Sequence, residues 1–175
     1  MEIERLLPLL EKGIATRQGQ LVRLAETRVA ASAFQNSGLE ESGLRNLLDV
    51  AKESPHVAVV TNFLRYQVGR DAGPPPIKWA AEVTYEEQTT AGDEEAREST
   101  RRTMAIGEWV ADDIEHIIAR DLVAEVVERV EAETGRPLPD DVRHVLAERA
   151  AIRLTRSYLG YLLRAFVTAK KWPQP

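Results

Sequence analysis

Two short steps, DDIEH at 112–116 and DDVRH at 140–144, each place an aspartate three residues before a histidine. On a helix such positions share a face, so Asp113 with His116, and Asp141 with His144, could each offer a carboxylate beside an imidazole. Two helices of this kind facing one another would supply part of a di-metal bundle site, a chemistry that uses Glu-x-x-His steps and further inward glutamates. Here aspartate stands in place of glutamate, no inward glutamate pair is evident on the first helices, and Ile114 and Ile117 compete for the buried positions beside His116. Glu108, Asp112 and Glu115 could act as acids or bases in a pocket, but nothing in the pattern buries them. A solvated acidic face is the favoured reading, with no metal and no cofactor expected. His56, directly after Pro55, reads as a surface residue at a helix start. G-x-G-x-x-G, G-x-x-x-x-G-K-[ST], G-x-S-x-G and H-E-x-x-H are all absent from the sequence. A di-metal bundle enzyme is therefore the minor alternative, and catalysis is not expected.

A second chemistry is carried by cations. SGLRNLLDVAKESPHVAVVTNFLRYQVGR, residues 42–70, is patterned like folding core yet returns to Arg45, Lys52, Arg65 and Arg70. If a helix begins at Pro55, Asn62, Arg65, Tyr66 and Gly69 turn away from Val57, Val60 and Leu64, and Arg70 leads into a loop bearing Lys78 and Trp79. Basic groups interleaved with aromatic rings can hold phosphates and stack on unpaired bases. The bland alternative makes Tyr66 and Trp79 core or interface aromatics and the arginines ordinary helix ends.

A third set lies at the end of the chain. At ~100° per residue, Arg149, Arg153, Arg156, Gly160, Arg164 and Lys171 fall within a sector of roughly 80°. Leu154, Tyr158, Tyr161, Leu162, Ala165 and Phe166 form the opposite, apolar face. Guanidinium groups repeated along a rod suit a phosphodiester backbone, because each presents planar donors to phosphate oxygens without reading bases. The same stripe also suits an acidic protein surface. Residues 86–148 hold 18 acidic and 7 basic side chains, whereas residues 149–175 hold six basic side chains and no acidic one. The acidic segment of one copy could meet the basic stripe of the next, head to tail. Both uses of the stripe stay open.

These sets must be positioned by helices. Leu6, Leu9, Leu10, Ile14, Leu21, Leu24 and Val29 keep helical spacing over about residues 2–35, with a break expected near Gly13 or Gly19. QNSG at 35–38 ends that stretch. Ser42 is placed to cap a helix carrying Leu44, Leu47, Leu48 and Ala51, and Ser54-Pro55 to start another. β-branched residues in HVAVV would favour a strand, but Val57, Val60, Leu64 and Val68 recur at helical spacing and Gly69 suits a C-terminal cap. DAGPPPIKW, 71–79, excludes regular structure, since consecutive prolines lack backbone donors. AEVTYEEQTT suggests a short strand or hairpin arm. A long acidic helix is expected from Asp93 to Thr134, with Asp93, Glu94 and Glu95 in its first turn and Gly135 as its stop. A basic final helix should run from Asp140 or Asp141 to about Lys170, before WPQP.

The expected architecture is a single all-α domain over 1–175, a helical bundle with N-terminal helices over 1–70, a Pro-rich loop over 71–92 and long helices over 93–175. Its 175 residues and net charge of −5 suit one globular domain and argue against a uniformly basic nucleic-acid coat. The longest apolar run, Val57 to Val60, is far short of the ~20 residues of a membrane span. The acidic, amphipathic opening MEIERLLPLLEKG predicts a first helix rather than an export leader. With no cysteine, disulfides and thiolate metal sites are excluded, and a cytoplasmic location is expected.

LEESGLRNLLDVA (39–51) followed by VVTNFLRYQVGR (59–70) resembles the small helical subunits of CRISPR effector complexes, in particular the type III kind. In that family a Ser-x-Leu-Arg helix precedes a helix ending in a basic Gly-Arg or Ala-Gly-Arg step. RSYLGYLLRAF (156–166) is similar in character to the family's closing aromatic helix. The resemblance implies a noncatalytic subunit of an antiviral defence ribonucleoprotein. It would be present in several neighbouring copies, beside backbone and large subunits, and hold guide RNA and target RNA by phosphate contacts. Carried onto matching positions, Arg45, Arg65 and Arg70 become backbone contacts, with Asn62 and Tyr66 nearby. The net acidic chain and the long acidic helix depart from the compact family form. A helical protein-protein adaptor without nucleic acid is the main alternative.

Overall fold

The computed structural model describes residues 3–88 and 99–171. Leu6, Leu10 and Ile14 recur at i, i+4 and i+8, and α1 (Leu7–Ala15) forms with Pro8 in its first turn, where a missing N–H costs nothing. The expected break falls between the two candidate glycines, at Thr16 and Arg17, before α2 (Gln18–Ala30). Gly13 stays helical because α1 lies close on a later helix: a Cβ there would meet Val126 Cγ1 at 3.0 Å. A short α3 (Ser32–Asn36) follows, and Gly38, at φ +75°, turns the chain in a conformation that suits glycine.

α4 (Glu41–Glu53) buries Leu44, Leu47 and Ala51. Its N-cap is Glu40 rather than the expected Ser42, whose hydroxyl instead reaches Glu40 Oε2 at 3.5 Å. α5 (Val57–Asp71) is a helix despite its β-branched start, because Val60 and Leu64 complete a buried stripe only at helical spacing. It begins two residues after the expected Pro55, since Ser54 Oγ takes up the His56 N–H at 3.1 Å. Gly69 lies inside α5 rather than at its cap.

The proline loop ends in a 3₁₀ turn, Lys78–Ala80, that buries Trp79. β1 (Glu82–Gln88) then pairs antiparallel with β2 (Ser99–Ala105), in register from Glu82 opposite Ala105 to Gln88 opposite Ser99. This overturns the expected start of the long helix at Asp93. Thr-rich β2 takes up the edge that β1 offers, a pairing that local spacing does not announce. The acidic first turn expected at 93–95 lies outside the described residues, as does WPQP at 172–175. The helical rod instead begins with α6 (Ile106–Asp112), widens into π-helical bonding over Asp113–Leu122, and continues as α7 (Val123–Thr134) to Gly135, at φ +69°.

α8 (Asp140–Lys171) spans the molecule and is the common wall of the bundle, packing on α2, α4, α7 and the π-helical segment. Its buried row from Leu146 through Leu154, Tyr158 and Leu162 to Phe166 fills the centre, where Phe166 meets Phe34 edge to face at 6.0 Å between ring centres. The fold is predominantly all-α, a helical bundle carrying one small hairpin. No helix among the described residues is long and apolar enough to cross a membrane.

Candidate nucleic-acid interface

α4 and α5 pack against each other through their apolar stripes, so their other faces look outward. On α5 that outward face carries Val59, Asn62, Tyr66, Gly69 and Arg70, all exposed. Tyr66 is 64% exposed, the most of the exposed large hydrophobic residues, which also include Val59 and Ile77. Trp79 does not accompany it: the indole is 2% exposed and belongs to the core.

The cations of this region divide by their partners. Arg45 donates to Glu41 one turn back, and Lys52 lies 3.1 Å from Asp49. Arg65 binds Glu115 through two hydrogen bonds, at 2.9 and 2.8 Å, with Glu108 3.6 Å away. The bonds from Arg65 hold the Glu115 carboxyl below its ordinary range. Arg70 reaches Asp71 at 3.0 Å yet keeps half of its side chain exposed. Lys78 has no ion pair among the described residues.

Between these elements lies a cleft of about 360 Å³ lined by Ser42, Asn46, Gln67, Arg70, Lys78 and Trp79, with Glu40 at its edge. Asp71 fixes its far wall: its carbonyl accepts the Ile77 N–H at 3.3 Å and its carboxylate the Trp79 backbone N–H at 3.4 Å. Lys78 is held at φ +52°, in the left-handed region, and donates its backbone N–H to Ser37 O at 2.7 Å. A lysine in that region is conformationally strained.

The C-terminal stripe is largely engaged within the molecule. Arg153 is paired with Glu11 on α1. Arg156 donates to the carbonyls of Ala51, Lys52 and Ser54 at 2.8, 3.2 and 2.9 Å, closing the C-terminal end of α4. Arg164 lies over the Tyr161 ring at 4.6 Å. Arg149 and Lys171 are exposed and without ion pairs among the described residues. Lys170, outside the stripe, donates to Leu39 O at 2.9 Å and sits 4.7 Å from the Phe166 ring. The stripe therefore faces three different environments rather than one continuous track.

The di-metal constellation does not assemble. Asp113 is 2% exposed and directed inward, while His116, His144 and Asp141 are exposed. His144 lies near Glu148, at 3.8 Å, instead of near His116. The ligand-type side chains that do gather among the described residues, within 4.8 Å of one another, are Asp112, Glu115 and His116, and Arg65 already occupies Glu115.

What the sequence pattern missed is the partner of Asp113. Arg28 binds it in a two-pronged pair at 2.8 and 2.7 Å, Tyr158 donates its hydroxyl to the same carboxylate at 2.7 Å, and Arg28 lies 4.3 Å over the Trp109 ring. Tyr85 of β1 stacks on the other aromatic partner, Trp109, at 5.9 Å. Burial works against the Arg28 charge, but the bonds and charge of Asp113 outweigh it and raise the guanidinium pKa. Burial first, then Asp113, pushes the Tyr158 hydroxyl well above its ordinary value. Both Asp113 oxygens are bonded and the carboxylate is enclosed, which marks the cluster as a structural joint between α2, the rod and α8. Only the polar residues at apolar positions, Asp113 beside Ile114 above all, could have signalled it. No protein-family model, no curated protein and no solved structure matches the chain.

Proposed function

We propose that this chain is a noncatalytic RNA-binding subunit of a ribonucleoprotein assembly, gripping single-stranded RNA with the outward face of α5 and the cleft beside it. The observation that carries this reading is Tyr66, 64% exposed between Asn62 and Arg70 on α5, which leads into the loop bearing Lys78, a lysine without an ion pair among the described residues. An accessible aromatic ring provides a stacking platform for a base, and the flanking cations provide phosphate contacts. The resemblance of residues 39–70 to the small subunits of CRISPR effector complexes supports the same role, with guide and target RNA as ligands and copies of itself as neighbours. Arg65 takes part less directly, since Glu115 of another element holds it, whereas Arg45, Lys52 and Arg70 each pair with a carboxylate of their own helix and keep half or more of the side chain exposed. Arg149 and Lys171 add a more distant basic surface.

The test is a fluorescence-anisotropy titration of short single-stranded RNAs at several salt concentrations. Affinity should fall with salt, as counterion release requires. Tyr66→Ala should weaken binding by roughly 5- to 150-fold, the equivalent of ~1–3 kcal/mol for a lost stack. Wild-type protein that binds no RNA even at low salt would overturn the reading. A protein-protein adaptor is the second reading, favoured by Val59 and Ile77, both exposed. It predicts partner recovery from the native host that survives complete nuclease digestion.

A further inference from the structure

The cleft between α4, α5 and the Lys78 turn contains more than cations. Gln67 is 5% exposed, yet neither atom of its amide has a hydrogen-bond partner among the described residues. The same holds for the Trp79 indole N–H. The fully enclosed polar atoms without partners are Arg17 Nε and Thr155 Oγ1 instead, so the Gln67 amide and the indole N–H touch open space. The open space they line is the cleft. Groups that no protein atom completes and that face a cleft are free to bond water or a ligand that displaces it.

Gly43 keeps this wall bare, since a Cβ there would lie 3.6 Å from Trp79 Nε1 and 3.2 Å from Leu39 Cδ1. Lys78 closes the opposite side from a left-handed backbone position that glycine or asparagine would occupy with less strain. A strained lysine beside an uncompleted amide is what a ligand site holds in readiness. The volume, about 360 Å³, is within the ~300–1,000 Å³ of small-molecule sites.

The charges select the ligand. The lining carries Arg70 and Lys78 against Glu40, and Asp71 behind it pairs Arg70, so the cleft is only weakly cationic and does not suit a bare polyanion. It offers uncharged donors and acceptors from Gln67, Asn46, Ser42 and the indole, a carboxylate able to accept an exocyclic amine, and two cations. That combination matches a planar, uncharged base edge attached to one phosphate. We propose that the cleft is a single-nucleotide pocket, taking a nucleobase against Gln67 and Trp79 with its phosphate on Arg70 and Lys78. This inference rests on the RNA-binding reading and adds base discrimination to it; the same chemistry could also come from a free nucleoside monophosphate.

The experiment measures binding of four single-stranded RNA homopolymers, and separately of the four free nucleoside monophosphates, to wild type, Gln67→Leu and Lys78→Gly. Gln67→Leu puts an apolar side chain of similar size in a buried position, and Lys78→Gly relieves backbone strain, so both should fold, as thermal melts would verify. The expected result is at least fivefold discrimination among homopolymers by wild type, collapsing to under twofold in Gln67→Leu, while Lys78→Gly weakens binding several-fold and melts no lower than wild type. RNA binding by wild type with no base preference, or with one that Gln67→Leu leaves intact, would overturn the pocket and leave the RNA-binding reading standing. Gln67-dependent binding of monophosphates without RNA binding would keep the pocket and overturn that reading. Absence of both kinds of binding would overturn the two together.

Discussion

Arg28 on α2 and Asp113, the first residue of the π-helical segment, meet in a two-pronged ion pair 85 residues apart in the chain, with the aspartate 2% exposed. Tyr158 completes the carboxylate from α8. Removing one member of a buried pair leaves the other charge uncompensated, which costs ~3–5 kcal/mol. Asp113→Ala should lower stability by about that amount in urea unfolding. The double variant Arg28→Met with Asp113→Leu should lose less than Asp113→Ala alone, because no buried charge remains. Equal losses in the two proteins would show that the pair contributes only packing.

Tyr158 also predicts a pH dependence. Its folded pKa is raised above the ordinary 10.0, so the folded state keeps a proton that the unfolded chain loses above that pH. The resulting stability is fully present below pH 10 and is lost as pH rises through the higher folded pKa. Tyr158→Phe should be less stable than wild type at pH 8 by about 1 kcal/mol, the usual contribution of one hydrogen bond. The difference in urea midpoint between the two proteins should narrow above pH 10. A constant difference across that range would contradict the assignment.

Arg156 was expected on a phosphate-facing stripe, but its guanidinium closes the end of α4 through three carbonyls. Charged hydrogen bonds of this kind each contribute ~1.5–3 kcal/mol, less where water competes. Arg156→Ala should therefore destabilise the fold by about 2 kcal/mol while leaving RNA affinity within twofold. Arg149→Ala should do neither. A large loss of RNA affinity in Arg156→Ala at unchanged stability would return Arg156 to the interface.

Two helical glycines should respond in opposite directions to alanine. A Cβ on Gly107 would come within 2.4 Å of Val68 Cγ2 and 3.2 Å of Trp79 O, so Gly107→Ala overpacks the joint between α5 and α6 and should cost ~1–3 kcal/mol. Nothing lies within 4 Å of a Cβ on Gly69, which is inside α5. Gly69→Ala should gain ~0.5–1 kcal/mol through helix propensity. Thermal melts of both variants check the pair.

Much of the bundle was legible in the sequence, because helices and their buried stripes are local. Val57, Val60, Leu64 and Val68 identify α5 against their own β-branched preference, and the apolar row of α8 is readable from Leu154 to Phe166. The outward placement of Asn62, Arg65 and Tyr66 follows from the same periodicity. The sequence pattern predicts helix through Ser99–Ala105, but a strand is stabilised by the strand across from it, and β1 is a neighbour no helical wheel displays.

Periodicity states which way a side chain points but not what stands opposite. That second question belongs to tertiary structure alone, since Arg153 meets Glu11 across 142 residues and Arg65 meets Glu115 across 50. An arginine facing outward on its own helix thus meets water, a carbonyl or a carboxylate, and the three fates are alike in one dimension. The sequence by itself determined a helical chain with apolar and basic faces. Only the packing of distant helices decided which cations remain available and left Gln67 uncompleted in a cleft, because ion pairs and cavities are set by distance in space rather than by spacing along the chain.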